Sequence, residues 1–337
     1  MFGLGVSDIK IKNRVRACDY LTVAQLFLQD NFLLERELSF DDVKPRLLGH
    51  WGTCHGINLA YANLAARGEM TDFVLGPGHG FPALQANLFL DGALYEVDRQ
   101  ATRDLAGLQY ICRNFSWPGG FPSHASPLTP GVISEGGELG YALATGYGAA
   151  LSKPEKYIAV LIGDGELETA TALASLNLNK LFCSRANGRV LPILHLNGYK
   201  ISAPTVYARK SERELMELMR GFGFYPILIN GEETAEFQNA LLTADELFEK
   251  VADGGMSSDD SGSASGSAKP PLIIMKTEKG AGGPEYVDGQ KVAGNYLAHQ
   301  IPLKRAKTDA RELAMLETWL KSYRFEELFD SKKGFML

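Results

Sequence analysis

Five short segments of the 337-residue chain are apolar at nearly every position, and four of them run into loops that contain glycine. They occupy residues 73–80, 157–165, 190–198, 225–231 and 272–280. Their hydrophobic residues do not alternate with polar ones, which is typical of strands that helices cover on both faces. Each segment is therefore predicted to be a buried strand.

Longer segments with helical periodicity lie between and after these strands. The predicted helices cover Glu138–Ser152, Glu168–Phe182, Glu212–Arg220, Thr234–Val251 and Arg311–Tyr323. This strand–helix alternation predicts an α/β fold, with a doubly wound, mostly parallel sheet and helices on both faces. Ligands bind such sheets beyond the carboxyl ends of the strands. We therefore expect a site among the loops GPGHG, GDGE, LNGYK and EKGAGG.

Two segments differ in character from this pattern. Residues 253–271 are rich in Ser, Gly and Asp without an apolar period, so a flexible insertion is predicted there. The domain then comprises residues 1–252 and 272–297. Residues 298–337 form a connector and one amphipathic helix, whose stripe of Leu313, Leu316 and Leu320 is typical of packing.

Composition and charge exclude several classes of function. The chain is 45% hydrophobic and 22% charged, and its net charge of −6 gives no basic surface for nucleic acid or an anionic membrane. It contains no signal-peptide pattern and no apolar run of membrane-spanning length. Cys18, Cys54, Cys112 and Cys183 are too widely spaced for a zinc site or a disulfide framework. We expect a cytoplasmic protein.

Gly163-Asp164-Gly165 follows the second predicted strand. One interpretation is a simple turn, because Asp-Gly is a common turn dipeptide. The other is a cation site, with Asn197 at the end of the next strand and the carbonyl of Tyr199 as further oxygen ligands. Such a set suits Mg²⁺, which takes its remaining ligands from phosphates and water. A helix beginning near Glu168 would direct its positive end toward the same diphosphate.

The GDG sequence followed by Asn197 resembles the thiamine diphosphate–Mg²⁺ binding motif, and its surroundings resemble the phosphoketolase family. The matching stretches follow one another in order along nearly the whole chain. They are GHWGT (49–53), GPGHG (76–80), PGGFPSH (118–124), EGGELGYAL (135–143), GDGELET (163–169), LPILHLNGYKI (191–201) and AHQIPL (298–303).

The resemblance implies a role for each matching position. The implied catalytic residues are His50, His79, His124, His299, Gln300 and Lys279. The implied thiamine diphosphate-binding residues are Gly137, Glu138, Leu139, Gly163, Asp164, Gly165, Glu166, Asn197 and Tyr199, of which Asp164, Asn197 and Tyr199 also bind Mg²⁺. His195 is either structural or in contact with the diphosphate, and both interpretations stay open here. His55 is expected to be structural.

The resemblance also implies an activity and a partner. Phosphoketolases cleave a C–C bond of a ketose phosphate and form acetyl phosphate. In that family a second, pyrimidine-binding domain carries the glutamate that activates the coenzyme. We therefore expect a separate pyrimidine-domain subunit, an oligomeric assembly, and no activity from this chain alone.

The chain departs from the family pattern at Phe81, at Ser134 and in the stretches 53–56 and 168–176, and two alternatives stay open. One is a transketolase-like two-carbon or acyl transferase of specialised metabolism, which the changes around Phe81 and Ser134 favour. The other is a non-catalytic cofactor-binding subunit, although retention of the four histidines argues against it.

Overall fold

The computed structural model describes residues 4–68, 71–129, 132–182, 186–253 and 268–337. Five strands form its central sheet: β1 (Asp72–Leu75), β2 (Tyr157–Gly163), β3 (Arg189–Leu196), β4 (Tyr225–Asn230) and β5 (Pro271–Lys276). Their order across the sheet is β1-β2-β3-β5-β4, and every neighbouring pair is parallel. All five predicted strands are therefore present, and β3 lies beside β2 as expected.

Ten α-helices are found in the described ranges. They are α1 (Leu4–Phe27), α2 (Cys54–Ala65), α3 (Phe81–Asp91), α4 (Ala93–Val97), α5 (Leu105–Asn114), α6 (Ala142–Ala150), α7 (Ala170–Ser175), α8 (Glu212–Gly221), α9 (Thr234–Asp253) and α10 (Ala310–Ser322). Two hairpins follow the sheet: β6 (Tyr286–Val287) with β7 (Gln290–Lys291), and β8 (Phe329–Asp330) with β9 (Gly334–Phe335). The predictions for α8, α9 and α10 are correct to within two residues, whereas α1–α5 were not predicted.

The sheet is buried on both faces. Along β2, Ile158, Val160 and Ile162 point to one side and pack in a core with residues of α6, α7 and α8. Ala159 and Leu161 point to the other side and pack in a larger core with residues of α1, α2, α3, α5, α9 and α10. Because successive side chains of a strand alternate between faces, continuous apolar strands are what a doubly wound sheet requires.

Two predicted helices, Glu138–Ser152 and Glu168–Phe182, are shorter in the structure. The first is reduced to α6 (Ala142–Ala150). The prediction of one helix over Glu168–Phe182 is wrong, since a 3₁₀ turn covers Glu166–Glu168, α7 follows, and a second 3₁₀ segment covers Leu176–Lys180. Thr169 interrupts the run with an extended backbone, and its hydroxyl caps α7 by accepting a bond from the Ala172 amide. A helix of six residues offers little macrodipole, so the expected contribution to diphosphate binding is much reduced.

The segment predicted as an insertion lies mostly outside the described residues, namely at 254–267. Its described flanks are the end of α9 at Asp253 and the beginning of β5 at Pro271. The predicted packing stripe of α10 is confirmed, because Leu313, Leu316 and Leu320 are buried in the larger core.

No helix in the described part of the chain is long and apolar enough to cross a membrane. Cys18, Cys54 and Cys112 are buried free thiols, and Cys183 lies outside the described residues.

Candidate active site

The carboxyl ends of β1, β2, β3 and β5 surround a cavity of about 390 Å³, within the usual range for small-molecule sites. Loops that are distant in sequence meet there because parallel strands end at one edge of the sheet. The wall consists of His50, Thr53, Pro77, His79, His124, Gly136, Gly137, Leu139, Gly163, Asp164, Gly165, Glu166, Asn197, Tyr199, Lys200, Ile201, Lys279 and His299.

Asp164 is 2% exposed and is held from three directions. Its Oδ2 accepts bonds from the Gly198 amide (2.8 Å) and the Thr205 hydroxyl (2.9 Å), and its Oδ1 accepts one from the Gly165 amide (3.0 Å). Burial raises the pKa of this carboxyl to about 6, although these bonds oppose the shift. A carboxylate in such an environment gains from a cation that neutralises it.

Asn197 and Tyr199 place two more oxygens beside Asp164. Oδ1 of Asn197 accepts one bond, from the Tyr199 amide at 3.2 Å, and therefore keeps a lone pair for another partner. The carbonyl oxygen of Tyr199 accepts a bond from Lys279 Nζ at 2.7 Å. One carboxylate, one amide oxygen and one carbonyl match the hard oxygen ligands that Mg²⁺ prefers, so this donor set fits the ion.

Glu166 joins two loops beneath the cavity. Its carboxylate accepts bonds from the Gly163 and Gly140 amides, each at 3.1 Å. A β-carbon on Gly76 would lie 2.1 Å from Glu166 Oε2, so this loop can pass the carboxylate only with glycine at that position. Burial raises the pKa of Glu166 to about 7. Its role in the structure is to position the loops around the cavity.

Four histidines from four separate segments also line the cavity and lie close together. The ring centroid of His50 lies 5.0 Å from that of His79, 5.3 Å from that of His124 and 5.0 Å from that of His299. The centroids of His79 and His299 are 4.8 Å apart. The buried Nδ1 atoms of His50 and His299 have no hydrogen-bond partner among the residues that the structure describes. These atoms can bond a ligand.

The imidazoles of this cluster favour the neutral form. Burial and, to a smaller extent, the charge of Lys279 lower the pKa of His50 to about 4 and that of His299 to about 3. Burial also lowers the pKa of His79 and of His124. Neutral imidazole can donate through one nitrogen and accept through the other. Among the described residues, no three His, Cys, Asp or Glu side chains are arranged to hold a metal ion.

His195 lies behind the cavity and does not line it. Its Nδ1 is 3.2 Å from the Thr53 hydroxyl and its Nε2 is 2.7 Å from the Thr277 hydroxyl. With both ring nitrogens engaged, the geometry favours the structural interpretation of His195, as a link between β3, β5 and the beginning of α2.

Two other residues of the predicted site are not in the wall. Gln300 is exposed, and its side-chain oxygen accepts a bond from Lys304 at 3.0 Å. Glu138 is exposed on the loop whose neighbours Gly137 and Leu139 do line the cavity. Sequence reasoning did not identify Thr53, Lys200 or Ile201 as lining residues, although each lies within a stretch that resembles the family.

The glycine loop that carries Lys279 is anchored from two sides. The Trp51 indole donates to the Gly280 carbonyl at 3.2 Å. The Trp319 indole and the Tyr323 hydroxyl, both at the end of α10, donate to the Gly282 carbonyl at 2.6 and 2.8 Å. The C-terminal helix therefore helps to position a cavity residue as well as contributing to the core.

Comparison with known proteins gives one family and several relatives. Residues 7–336 match the family model described as XFP N-terminal domain. A probable phosphoketolase of Rhodopseudomonas palustris (strain HaA2) is 48% identical over 326 residues, which are 95% of this chain and 41% of that protein. A probable phosphoketolase of Streptomyces coelicolor is 47% identical over 320 residues, which are 94% of this chain and 40% of that protein. The chain thus spans about two-fifths of the length of these relatives.

Solved structures of other proteins share this fold. A transketolase from Leishmania mexicana superposes on this chain with a TM-score of 0.61 at 18% sequence identity, and the superposition covers 96% of this chain and 45% of the transketolase chain. A transketolase from Campylobacter jejuni gives 0.59 at 19% identity, covering 97% and 48%.

Proposed function

The chain belongs to the XFP N-terminal domain family, the N-terminal part of phosphoketolases, and on that premise we propose that it binds thiamine diphosphate with Mg²⁺ for C–C cleavage of a ketose phosphate. The observation that carries the proposal is the composition of the cavity wall. Asp164, Asn197 and Tyr199, which follow β2 and β3, line it together with four histidines.

In this proposal Asp164, Asn197 and the Tyr199 carbonyl hold the cation, and the cation and nearby backbone hold the diphosphate. Gly137 and Leu139 would lie against the aminopyrimidine, where a small residue permits close approach. Thiamine diphosphate supplies the electron sink for cleavage beside a carbonyl.

The histidine wall would bind the sugar. Neutral His50, His79, His124 and His299 can accept from and donate to neighbouring hydroxyls. The unpartnered Nδ1 atoms of His50 and His299 support this role, since buried polar atoms need partners that a ligand can provide. Lys279 adds the positive charge that a phosphorylated substrate or the coenzyme would meet.

The cavity is bordered by exposed apolar side chains. Leu139 (38% exposed) and Ile201 (62%) line it, and Tyr141 (49%) lies near Leu139 in the chain. We propose that a pyrimidine-binding domain, on this polypeptide or another, covers this border and supplies the activating carboxylate. Turnover would then require that domain.

Two of the departures from the family pattern, Phe81 and Ser134, do not reach the cavity wall. Phe81 is fully buried at the beginning of α3, where its ring stacks with Phe115, and Ser134 is also buried. Neither lines the cavity. They therefore give no support to the transferase alternative, and acetyl phosphate formation is the activity that we propose.

Titration calorimetry of thiamine diphosphate into the full chain, with and without MgCl₂, tests the proposal. We expect uptake only with Mg²⁺, and loss of uptake in Asp164→Ala with the thermal unfolding transition retained. Binding of thiamine diphosphate that does not require Mg²⁺, or that persists in Asp164→Ala, would overturn the proposed cation site.

Product analysis tests the reaction. With the pyrimidine-binding domain supplied, a ketose phosphate should give acetyl phosphate, and a new ketol instead would establish the transferase alternative.

A further inference from the structure

Lys279 occupies an unusual position relative to the oxygens assigned to the cation. Its side chain is 2% exposed, and its Nζ donates to the Tyr199 carbonyl, one of those oxygens, at 2.7 Å. A buried ammonium group thus bonds an oxygen that the proposed cation would also use.

We propose that Lys279 opposes the binding of Mg²⁺ alone and favours the binding of the diphosphate, so that little Mg²⁺ occupies the site before the diphosphate binds. This inference rests on the proposed function.

The charges around the oxygens assigned to the cation support this role of Lys279. Asp164 is the carboxylate whose charge acts on Lys279, so one negative and one positive group face the place of the cation. The other lysine of the wall, Lys200, forms an ion pair with Glu168. Glu166 is held by two backbone amides instead. The oxygen set with Lys279 therefore carries almost no net charge to attract a cation.

A bound diphosphate makes the net charge around the cation site negative. Like charges repel strongly at short range in a partly dehydrated site, so Lys279 opposes Mg²⁺ when the ion arrives alone. The several negative charges of a diphosphate are attracted by both cations, and Lys279 then favours the complete assembly. The same side chain therefore weakens the binding of Mg²⁺ alone and strengthens the binding of the diphosphate.

The hydrogen bonds of its loop keep Lys279 from moving away from the proposed cation site. The Gly280 amide donates to the Gly52 carbonyl at 2.8 Å, and Trp51 donates to the Gly280 carbonyl. The side chain itself is enclosed. Repulsion therefore cannot be relieved by moving the loop into solvent.

Calorimetry with Mg²⁺ alone and with inorganic pyrophosphate or thiamine diphosphate at saturating Mg²⁺ tests the inference on the full chain. For Lys279→Met we expect Mg²⁺ alone to bind about tenfold more tightly and the diphosphate, at saturating Mg²⁺, to bind about tenfold more weakly. Lys279→Arg, which keeps the charge, should bind both ligands nearly as wild type does. Lys276→Met removes an exposed lysine of β5 that pairs with Glu212, and it should behave as wild type.

Unchanged or weaker Mg²⁺ binding by Lys279→Met, in a protein with a normal unfolding transition, would overturn the inference and leave the proposed function intact. Wild-type protein that takes up no coenzyme at any Mg²⁺ concentration would overturn the proposed function instead. The titration with Mg²⁺ alone would still decide whether Lys279 opposes the cation.

Discussion

Gly78 and Gly136 lie in direct backbone contact, although 57 intervening residues separate them in sequence (78 to 136). A β-carbon on Gly78 would lie 2.3 Å from Gly136 Cα, and one on Gly136 would lie 2.5 Å from Gly78 Cα. Ala125 connects the two segments, because its amide donates to the Gly78 carbonyl (2.9 Å) and its carbonyl accepts from the Gly136 amide (2.8 Å). The loop bearing His79 is thereby joined to the loop bearing Gly137 and Leu139.

Gly78→Ala should separate these loops. Because the added methyl group meets backbone, we expect the free energy of unfolding to fall by about 1–3 kcal/mol and coenzyme binding to weaken. Urea unfolding and calorimetry measure the two effects. Gly148→Ala is the matched control: this glycine lies exposed within α6 with open space around it, so alanine should stabilise by up to about 1 kcal/mol. Equal behaviour of the two variants would contradict the close contact.

Acid should destabilise the unliganded protein between about pH 6.5 and pH 4. Five imidazoles have a pKa that partial or full burial lowers in the folded chain, so they take up protons on unfolding: His50, His79, His124, His195 and His299. Asp164 and Glu166 act in the opposite sense, because their pKa values are raised. The unfolded state therefore binds more protons, and the free energy of unfolding falls as the pH falls.

Urea unfolding at a series of pH values measures this dependence. Each imidazole contributes a slope of at most about 1.4 kcal/mol per pH unit. His299→Gln should reduce the slope, since it removes one titrating group. His55, whose ion pairs with Asp19 and Glu232 raise its pKa to about 10 against burial, acts only above this range. Stability that is constant from pH 6.5 to pH 4 would contradict the neutral cluster.

Trp319→Phe should loosen the loop that carries Lys279. The change removes the indole donor to the Gly282 carbonyl, and a buried bond of this kind contributes about 0.5–1.5 kcal/mol. We expect lower stability and weaker binding of the Mg²⁺–coenzyme pair. Thr318→Ala is the control, because its exposed hydroxyl bonds only within α10. If coenzyme affinity in Trp319→Phe equals that of the control, α10 does not position the loop.

Glu166→Gln should disturb the two loops that Glu166 joins. A carboxylate accepts from both the Gly163 and the Gly140 amide, whereas a glutamine amide offers one acceptor and turns a donor toward the second N–H. We expect a loss of about 1–3 kcal/mol in unfolding free energy at neutral pH. Glu217→Gln makes the same change on the exposed face of α8 and should alter stability by less than about 0.5 kcal/mol. Denaturant titration distinguishes the two.

Much of the fold could be predicted because it depends on local pattern. The apolar runs of β2, β3 and β5 indicated strands buried on both faces, and α8–α10 followed from helical periodicity. The helix predicted from Glu168 failed at Thr169, where a side chain caps α7 and the backbone is extended. The segment before β1 gave no prediction of secondary structure, although it forms α1 and α2, which contribute to the larger core.

For this protein, the sequence by itself determined the α/β class, the glycine loops that follow the strands, and membership of a family through stretches that match in order. Tertiary structure alone decided that His50, His79, His124 and His299 form one cluster, that Lys279 reaches the Tyr199 carbonyl, and that Gln300 and His195 stand outside the cavity wall. The physical reason is the separation along the chain over which each of these determinants acts. Periodicity and turn chemistry act over a few residues, whereas contacts between distant segments depend on the strand order β1-β2-β3-β5-β4 and on how the helices pack against it.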